Sequence, residues 1–262
     1  MTLLEAIILG IVQGLTEFFP VSSSGHLVLA EAVLDVNPPG VSFEVLVHLA
    51  TVLSVLAVYR RRVAELAVGV LRIDRSSIRY IGLLLLASVP AALAGTTLTE
   101  EVSSLFDMPI LVAVALLVTG AVVYATRWLV DRGDRRDPGW RGSFAVGVAQ
   151  ALAIIPGISR SGFTVATAMM AKTRREAAAE FSFLLSVPAI LGASVLQAPE
   201  LLSGGSGIGG VSLAAAAVAA FGAGLLAIVL FVRLLRTRLF HRFAYYCWAV
   251  GGAYILYVLI AR

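Results

Sequence analysis

The stretch from Glu17 to His26 reads EFFPVSSSGH and interrupts an apolar N-terminal run. It carries a carboxylate, three consecutive hydroxyls and an imidazole, together with a proline and a glycine. A charged side chain at membrane depth costs about 2.5–3.5 kcal/mol on insertion scales, and unpaired backbone groups add several more. The stretch is therefore predicted to break a helix in two and to be buried in protein or to line a wet cavity.

A second polar stretch, from Pro156 to Thr164, reads PGISRSGFT and carries the opposite charge. Its arginine, Arg160, lies in the middle of another apolar run. An arginine at that depth is as costly as a carboxylate and needs a partner. The central prediction from the sequence is that these two stretches meet and form one site.

The composition is that of a membrane protein. The chain has 262 residues, of which 59% are hydrophobic and 14% charged, and its mean hydropathy is +0.94. A soluble domain carries about 25% charged residues. The chain is therefore predicted to be a polytopic membrane protein with one domain, 1–262. Its net charge of +4 comes mainly from arginines in short loops, so nucleic acid is not an expected partner.

Charge patterning predicts the topology. Loops assigned to the inside are rich in arginine, whereas those assigned to the outside have no lysine or arginine. Two interrupted apolar runs, 3–34 and 142–171, are predicted to be re-entrant helix pairs, the first entering from outside and the second from inside. Six spanning helices are predicted at 43–59, 80–98, 109–128, 177–196, 211–232 and 243–260.

The two interrupted runs are weakly similar to each other. GIVQGLTEFFPVSSSG begins at Gly10, and GVAQALAIIPGISRSG begins at Gly147. In both, a glutamine (Gln13 or Gln150) precedes the Ser-Gly pair by the same 11 residues. Opposite entry sides predict an inverted-topology repeat, about 1–128 and 142–262, in an all-α fold. The site of such a repeat typically lies at the repeat interface, near the middle of the membrane.

The chemistry around Arg160 points to an anion. A guanidinium fork suits a phosphate group, and the neighbouring hydroxyls could hold further oxygens. A half-helix that begins here would aim backbone N–H groups at the anion, and glycine would permit its close approach. The alternative is a structural pair with a buried carboxylate. The candidate phosphate-binding residues of this stretch are Ser159, Arg160, Ser161, Gly162 and Thr164.

The first stretch adds acid–base groups. Glu17 could orient a histidine or hold a cation, and His26 could act as a base or a nucleophile. The hydroxyls of Ser22 to Ser24 and the N–H of Gly25 could hold phosphate oxygens. The alternative is a hydrogen-bonded polar knot that stabilises a broken helix. With Arg160 as partner, the combination favours phosphoryl chemistry.

Other polar residues are candidates for support behind this site. Glu44 and His48 share one helix face, and a purely structural pair is equally consistent with that spacing. Glu180, with Ser182 close by, lies at the start of a predicted span and could back Arg160. The full supporting set is Gln13, Glu44, His48, Gln150 and Glu180.

At this point the chain resembles the undecaprenyl-diphosphatase family, the bacitracin-resistance phosphatases of lipid-carrier recycling. The matching segments are GLTEFFPVSSSGH, FEVLVHLATVLSVL, PGISRSGFT and AAAEFSFLLSVPAILGA, in order along essentially the whole chain. The resemblance implies hydrolysis of a polyprenyl diphosphate to the monophosphate and inorganic phosphate, for cell-wall (peptidoglycan) synthesis. It also implies a multi-pass protein of the cell membrane, with the N-terminal motif and the active site facing outside.

The resemblance also implies roles by position. Glu17 would be the motif glutamate, Ser23 a catalytic hydroxyl and His26 the catalytic histidine. Ser159, Arg160 and Thr164 would bind phosphate. A divalent cation, Mg²⁺ or Ca²⁺, is implied as cofactor, with Glu17 as its ligand.

One departure from the family pattern concerns that cation. The family's first motif usually begins E-G-L-T-E, whereas this chain reads QGLTE, with Gln13 in the first position. Glutamine can accept a hydrogen bond but carries no charge, so a cation held by two carboxylates would lose one of them. His48, where the family often has glutamine, is a smaller change.

The sequence leaves the attacking group open among His26, Ser23 and a water activated by His26. A competing interpretation is a polyprenyl-phosphate flippase, because inverted repeats with mid-membrane polar sites are also a transporter design. Gln13 slightly favours that transporter, and the Glu17–His26 combination favours the enzyme. The sequence also leaves open whether the protein forms a homodimer.

Overall fold

The fold is all-helical, as predicted. The computed structural model describes residues 1–34, 42–98, 105, 108–128, 133–199, 208–237 and 239–260. Within these ranges there are two short 3-10 helices, Thr126–Trp128 and Phe240–Arg242. The α-helices there are α1 (Leu3–Phe18), α2 (Ser23–Leu34), α3 (Ser42–Val58), α4 (Arg60–Leu71), α5 (Arg75–Thr97), α6 (Pro109–Ala125), α7 (Gly139–Leu152), α8 (Arg160–Met170), α9 (Arg175–Leu196), α10 (Gly210–Arg236) and α11 (Phe243–Ile260).

Five of these helices are long and apolar enough to cross a bilayer: α5, α6 with its 3-10 turn, α9, α10, and α11 with its 3-10 turn. Each coincides with a predicted span. The remaining predicted span, 43–59, corresponds to α3, which has 17 residues and so lies at the lower limit of a spanning helix. Together α3 and α4 also pass the test, but they are bent by 78° at their junction. The protein is thus a multi-pass membrane protein.

One prediction from charge was wrong. The predicted topology places one of its arginine-rich loops between the spans 43–59 and 80–98, yet the segment after Tyr59 forms the 12-residue helix α4. Its sequence RRRVAELAVGVL is rich in helix-forming residues, and Leu66 is buried against the rest of the fold. Arg62 anchors it further, because its Nε donates to Glu180 Oε1 at 3.0 Å. Charge marks the membrane boundary but does not say whether the chain beyond it is helical.

Both interrupted runs are broken helix pairs, α1 with α2 and α7 with α8. The first break follows from Pro20, which cannot continue a helix, and Phe19 is already extended. The second break contains Gly157 at φ +92°, where a Cβ would also meet the Val112 carbonyl. Only glycine satisfies both constraints. The four half-helices match the predicted runs 3–34 and 142–171.

The first helix of each pair packs against a long helix of the other half of the chain. Helix α1 lies along α10, with Gly10 and Gly14 against Ala216 and Ala220. Helix α7 lies along α5, with Gly147 against Ala87. Small residues let helix backbones approach closely in membranes. An inverted repeat would produce such reciprocal packing between the two halves of the chain. The division into repeats 1–128 and 142–262 stays a prediction.

We expect Gly10→Ala to destabilise the protein by about 1–3 kcal/mol, because the added methyl would meet the Ala216 carbonyl and push α1 from α10. Gly192→Ala, on α9, is the matched control, since a Cβ there meets nothing within 4 Å. Thermal unfolding in detergent measures both. Equal shifts in the two variants would mean that the α1–α10 contact is not close-packed.

Candidate functional site

The two polar stretches meet, as the sequence predicts, and that they form one functional site stays a prediction. Glu17 lies in the last turn of α1, and Arg160 is the first residue of α8. Arg160 Nη2 donates to Glu17 Oε1 at 2.6 Å, across 143 residues of sequence. The side chains are only 15% and 7% exposed, respectively. The contact joins the two re-entrant pairs and lets each buried charge neutralise the other.

Glu17 is the centre of a cluster. Its second oxygen, Oε2, accepts hydrogen bonds from Ser23 Oγ at 2.7 Å and from Gln13 Nε2 at 3.0 Å. His48 Nε2 lies 3.8 Å from the same oxygen. Gln13 Oε1 is buried and has no hydrogen-bond partner among the residues that the structure describes. The carboxylate therefore links a hydroxyl, an amide, an imidazole and a guanidinium at one place.

Arg160 is oriented by a second acceptor. Its Nη1 donates to the Ser182 carbonyl on α9 at 3.2 Å. Thr164 Oγ1 lies 2.6 Å from Ser182 Oγ and donates to the Arg160 carbonyl at 2.7 Å. Glu180, expected to back Arg160, lies elsewhere: it accepts from Arg62 and, at 3.4 Å, from Tyr80. Arg160 is thus supported by Ser182.

The start of α8 is built by Ser159. Its Oγ accepts from the Gly162 N–H at 3.1 Å and caps the helix, while its own N–H donates to Thr119 Oγ1 at 3.0 Å. Thr119 in turn donates to the Gly157 carbonyl at 2.9 Å. The cap places the positive end of the helix dipole at Arg160. This end of α8 can therefore receive an anion.

Not every candidate phosphate ligand is open to a ligand. Ser161 Oγ donates to the Phe19 carbonyl at 2.9 Å, which ties α8 to the break between α1 and α2. Ser159, Ser161 and Thr164 are all buried. In the described structure their hydroxyls hold the fold together around Arg160.

The break between α1 and α2 contains a strained residue. Ser22 has φ +67°, a conformation that residues other than glycine seldom adopt. Its Oγ accepts from the Gly25 N–H at 3.4 Å and lies 3.3 Å from Ser24 Oγ. Its carbonyl accepts from the His26 N–H at 3.2 Å. Strain of this kind concentrates at functional sites, where surrounding contacts hold it.

His26 does not contact Glu17 through a hydrogen bond among the described residues. Its Nδ1 lies 2.8 Å from the Ser22 carbonyl, and its Nε2 lies 2.8 Å from the Tyr246 hydroxyl on α11. The histidine beside Glu17 is instead His48, whose Nδ1 faces the Glu44 backbone carbonyl at 2.7 Å. The Glu44 side chain is exposed, so Glu44 and His48 share a helix face without a contact between their side chains.

Two residues of the site carry no signal in the sequence. Tyr246 is one of seven tyrosines and lies 220 residues from His26. Thr119 lies within an apolar span. Gln150, expected to support the site, is buried, and within the described part of the chain neither of its side-chain polar atoms is hydrogen-bonded. Gln150 was a candidate only because of its position in the repeat.

The cation expectation can be tested against the donor atoms. In the described ranges no three side chains of the His, Cys, Asp and Glu types are grouped as a metal site. The unpartnered Gln13 Oε1 beside Glu17 is nevertheless an oxygen donor of the kind that Mg²⁺ and Ca²⁺ accept. Mg²⁺ is commonly held by one carboxylate and the phosphates of a substrate, so these residues fit a cation that arrives with its ligand.

Comparisons with known proteins find relatives along nearly the whole chain. A family model described as bacitracin resistance protein BacA matches residues 6–253. The undecaprenyl-diphosphatase of Salinibacter ruber is 41% identical over 96% of this chain and 98% of its own. Undecaprenyl-diphosphatase 1 of Shouchella clausii is 41% identical, covering 96% and 95%. That of Desulforapulum autotrophicum is 37% identical, covering 96% of each chain. The chain, with both polar motifs inside the matched range, belongs to the bacitracin resistance protein BacA family.

Proposed function

We propose that this protein is a phosphatase that hydrolyses undecaprenyl diphosphate, or a closely similar polyprenyl diphosphate, to the monophosphate and inorganic phosphate. The observation that carries the proposal is the Glu17–Arg160 contact, with the Ser23 hydroxyl on the same carboxylate. The relatives named as undecaprenyl-diphosphatases support the choice of substrate. None of these names supports the flippase interpretation.

Arg160 is the principal phosphate ligand in this proposal. Its guanidinium offers donors in a planar fork at the capped start of α8, where the helix dipole also favours an anion. The diphosphate would draw the fork away from Glu17 Oε1. The terminal phosphate would then lie next to the Ser23 hydroxyl, because both groups contact the one carboxylate.

Ser23 is the attacking group that the geometry favours. A hydroxyl hydrogen-bonded to a carboxylate at 2.7 Å is a nucleophile beside a base. In the first step, Ser23 Oγ bonds to the terminal phosphorus and the bridging P–O bond breaks. The polyprenyl monophosphate leaves with that electron pair, and the Ser23 proton passes to Glu17.

The second step needs a base for water. A water molecule attacks the phosphoserine, and its proton passes to His26 Nε2. The bond between phosphorus and Ser23 Oγ breaks, and Glu17 returns its proton to that oxygen. Imidazole suits this role because its ordinary pKa lies near neutrality. His26 is one helix turn from Ser23 on α2, so both side chains border the same face.

We also propose that a divalent cation, Mg²⁺ or Ca²⁺, binds together with the substrate. Glu17 and Gln13 Oε1 would hold it, and it would supply positive charge that offsets the phosphate oxygens. On the membrane side, we propose that the N-terminal pair opens to the outside. This orientation is supported by arginine-rich segments at the other ends of the spans.

The test is phosphate release from undecaprenyl diphosphate by purified protein, with and without Mg²⁺ or Ca²⁺. We expect release that rises with the cation and falls by about 10²-fold or more in His26→Ala. Gln13→Glu supplies a second carboxylate and should lower the cation concentration needed. No release from the wild type, with release from Gln13→Glu, would mean that the natural protein does not hydrolyse this substrate.

A further inference from the structure

Tyr246 holds the one side-chain nitrogen that the proposed second step uses. Its hydroxyl lies 2.8 Å from His26 Nε2, and the two rings are nearly parallel, at 11°, with centroids 5.5 Å apart. Tyr246 belongs to α11, at the opposite end of the sequence from α2. It is 46% exposed, so it stands between His26 and the surroundings of the protein.

The tautomer of His26 follows from its other contact. A backbone carbonyl only accepts, so the 2.8 Å contact from Nδ1 to the Ser22 carbonyl requires a proton on Nδ1. In the neutral ring, Nε2 then carries the lone pair and accepts from the Tyr246 hydroxyl. When Nε2 gains a proton, it can donate to the same oxygen. The contact between His26 Nε2 and the Tyr246 hydroxyl can therefore form with the imidazole neutral or protonated.

We propose that Tyr246 is a catalytic residue that relays a proton between the attacking water and His26 Nε2, while the Ser22 carbonyl holds His26 as the Nδ1–H tautomer. As the tyrosine O–H proton passes to Nε2, the tyrosine oxygen takes a proton from the attacking water. The water becomes the hydroxide that bonds to phosphorus, and no other reactant is needed. This role rests on the proposed phosphatase function.

The test pairs Tyr246→Phe with Tyr245→Phe. Tyr245 packs its ring against Tyr124 and Trp248, so the control removes a neighbouring hydroxyl on the same helix. We expect Tyr246→Phe to lower kcat about tenfold with KM within about twofold, and Tyr245→Phe to change neither. In a His26→Ala background, Tyr246→Phe should cause no further loss. A loss of equal size without His26 would overturn the proposal.

A second readout needs no substrate. The chain has only three histidines, so nitrogen-15 NMR of histidine-labelled protein gives an assignable spectrum, with His26→Gln locating the relevant signals. We expect Tyr246→Phe to shift the His26 Nε2 resonance and Tyr245→Phe to leave it in place. An unchanged His26 resonance would overturn the proposal even if the protein proves active. If the wild type releases no phosphate, the proposed function fails. The spectrum still shows whether Tyr246 contacts His26.

A separate observation concerns α4. Helix α4 leaves α3 at 78°. With α3 crossing the membrane as the sequence predicts, this bend directs α4 close to the membrane plane at an arginine-rich end. Ala64, Ala67, Val68 and Leu71 share one exposed face at i, i+3, i+4 and i+7 spacing. Leu71 is 83% exposed, which an aqueous surface would not favour.

Arginines flank that apolar face. Arg61 precedes it by one turn and Arg72 follows it, and neither forms an ion pair with another side chain in the described part of the chain. Both line an open groove of about 620 Å³ between α4 and the start of α5. Its wall also carries two carboxylates, and each has a partner: Glu65 accepts from Arg62, and Asp74 accepts from the Ser77 N–H. Cationic groups beside an apolar stripe complement an anionic lipid headgroup and its acyl chains.

We infer that α4 is a binding surface for anionic phospholipid in the arginine-rich leaflet. The test compares Arg61→Gln/Arg72→Gln with the control Arg135→Gln/Arg136→Gln, which removes the same charge from an exposed loop between α6 and α7. Proteins in nanodiscs of mixed phosphatidylcholine and phosphatidylglycerol are released and analysed by native mass spectrometry. We expect the α4 variant to retain phosphatidylglycerol roughly 25-fold less, at about fivefold per arginine. Equal retention by both variants, or no lipid preference in the wild type, would overturn the inference.

Discussion

Arg160→Ala is expected to lower phosphate release by about 10³-fold or more. The change removes the donor fork at the start of α8 and the charge that would bind the diphosphate. It also leaves Glu17 buried without its cationic partner, which costs about 3–5 kcal/mol of stability. Initial rates at saturating and limiting substrate, beside thermal unfolding in detergent, measure both effects.

Because Arg160→Ala could fail to fold, Arg160→Lys keeps the prediction testable. Lysine retains the charge and can still pair with Glu17, but a single ammonium cannot reproduce the planar fork that also reaches the Ser182 carbonyl. We expect a loss of about 10²-fold with the fold intact. Arg62→Lys is the matched control, since Arg62 pairs with Glu180 outside the cluster. If Arg160→Lys turned over as fast as Arg62→Lys, the two-stretch site would be wrong.

Ser23→Ala is expected to lower turnover by about 10³-fold or more, because it removes the proposed nucleophile while leaving Arg160 and Glu17 paired. The substitution deletes one hydroxyl from a partly buried position, so the thermal midpoint should change little. Substrate should still bind to the inactive variant. Single-turnover rates, with a binding measurement by displacement of labelled substrate, separate these expectations.

Ser24→Ala is the control for the nucleophile. Its hydroxyl lies 3.3 Å from Ser22 Oγ and does not contact Glu17, so we expect turnover within about tenfold of wild type. Trapping with labelled substrate should place phosphate on Ser23. A phosphohistidine at position 26, or a Ser23→Ala variant that keeps a tenth of the activity, would move the nucleophile to His26 or to water.

Much of the fold could be predicted because the membrane imposes strong rules. The apolar runs at α5, α6, α9, α10 and α11 are long enough to span, and arginines lie at one end of each. The error at Arg60–Leu71 has a physical cause as well. Three arginines open this helix and a mostly apolar segment follows, whereas a charge count registers only the arginines, which mark the membrane boundary.

The meeting of Glu17 and Arg160 was also predictable, and for the same reason. A carboxylate and a guanidinium in separate apolar runs are each too costly to bury alone, so the lowest-energy arrangement brings them together. Their hydroxyl neighbours could be named from the motifs. The expected roles of Ser161 and Thr164 were less secure, because the fold uses both hydroxyls for its own contacts.

The sequence by itself thus determined the membrane class, the two broken helix pairs and the pairing of their opposite charges. Only the tertiary structure decided which histidine lies beside Glu17: it is His48, whereas His26 faces Tyr246. The reason is that local spacing governs contacts within a helix, but contacts across 220 residues depend on how α2, α3 and α11 pack. That packing follows from the side-chain volumes of all the helices together, which no single motif contains.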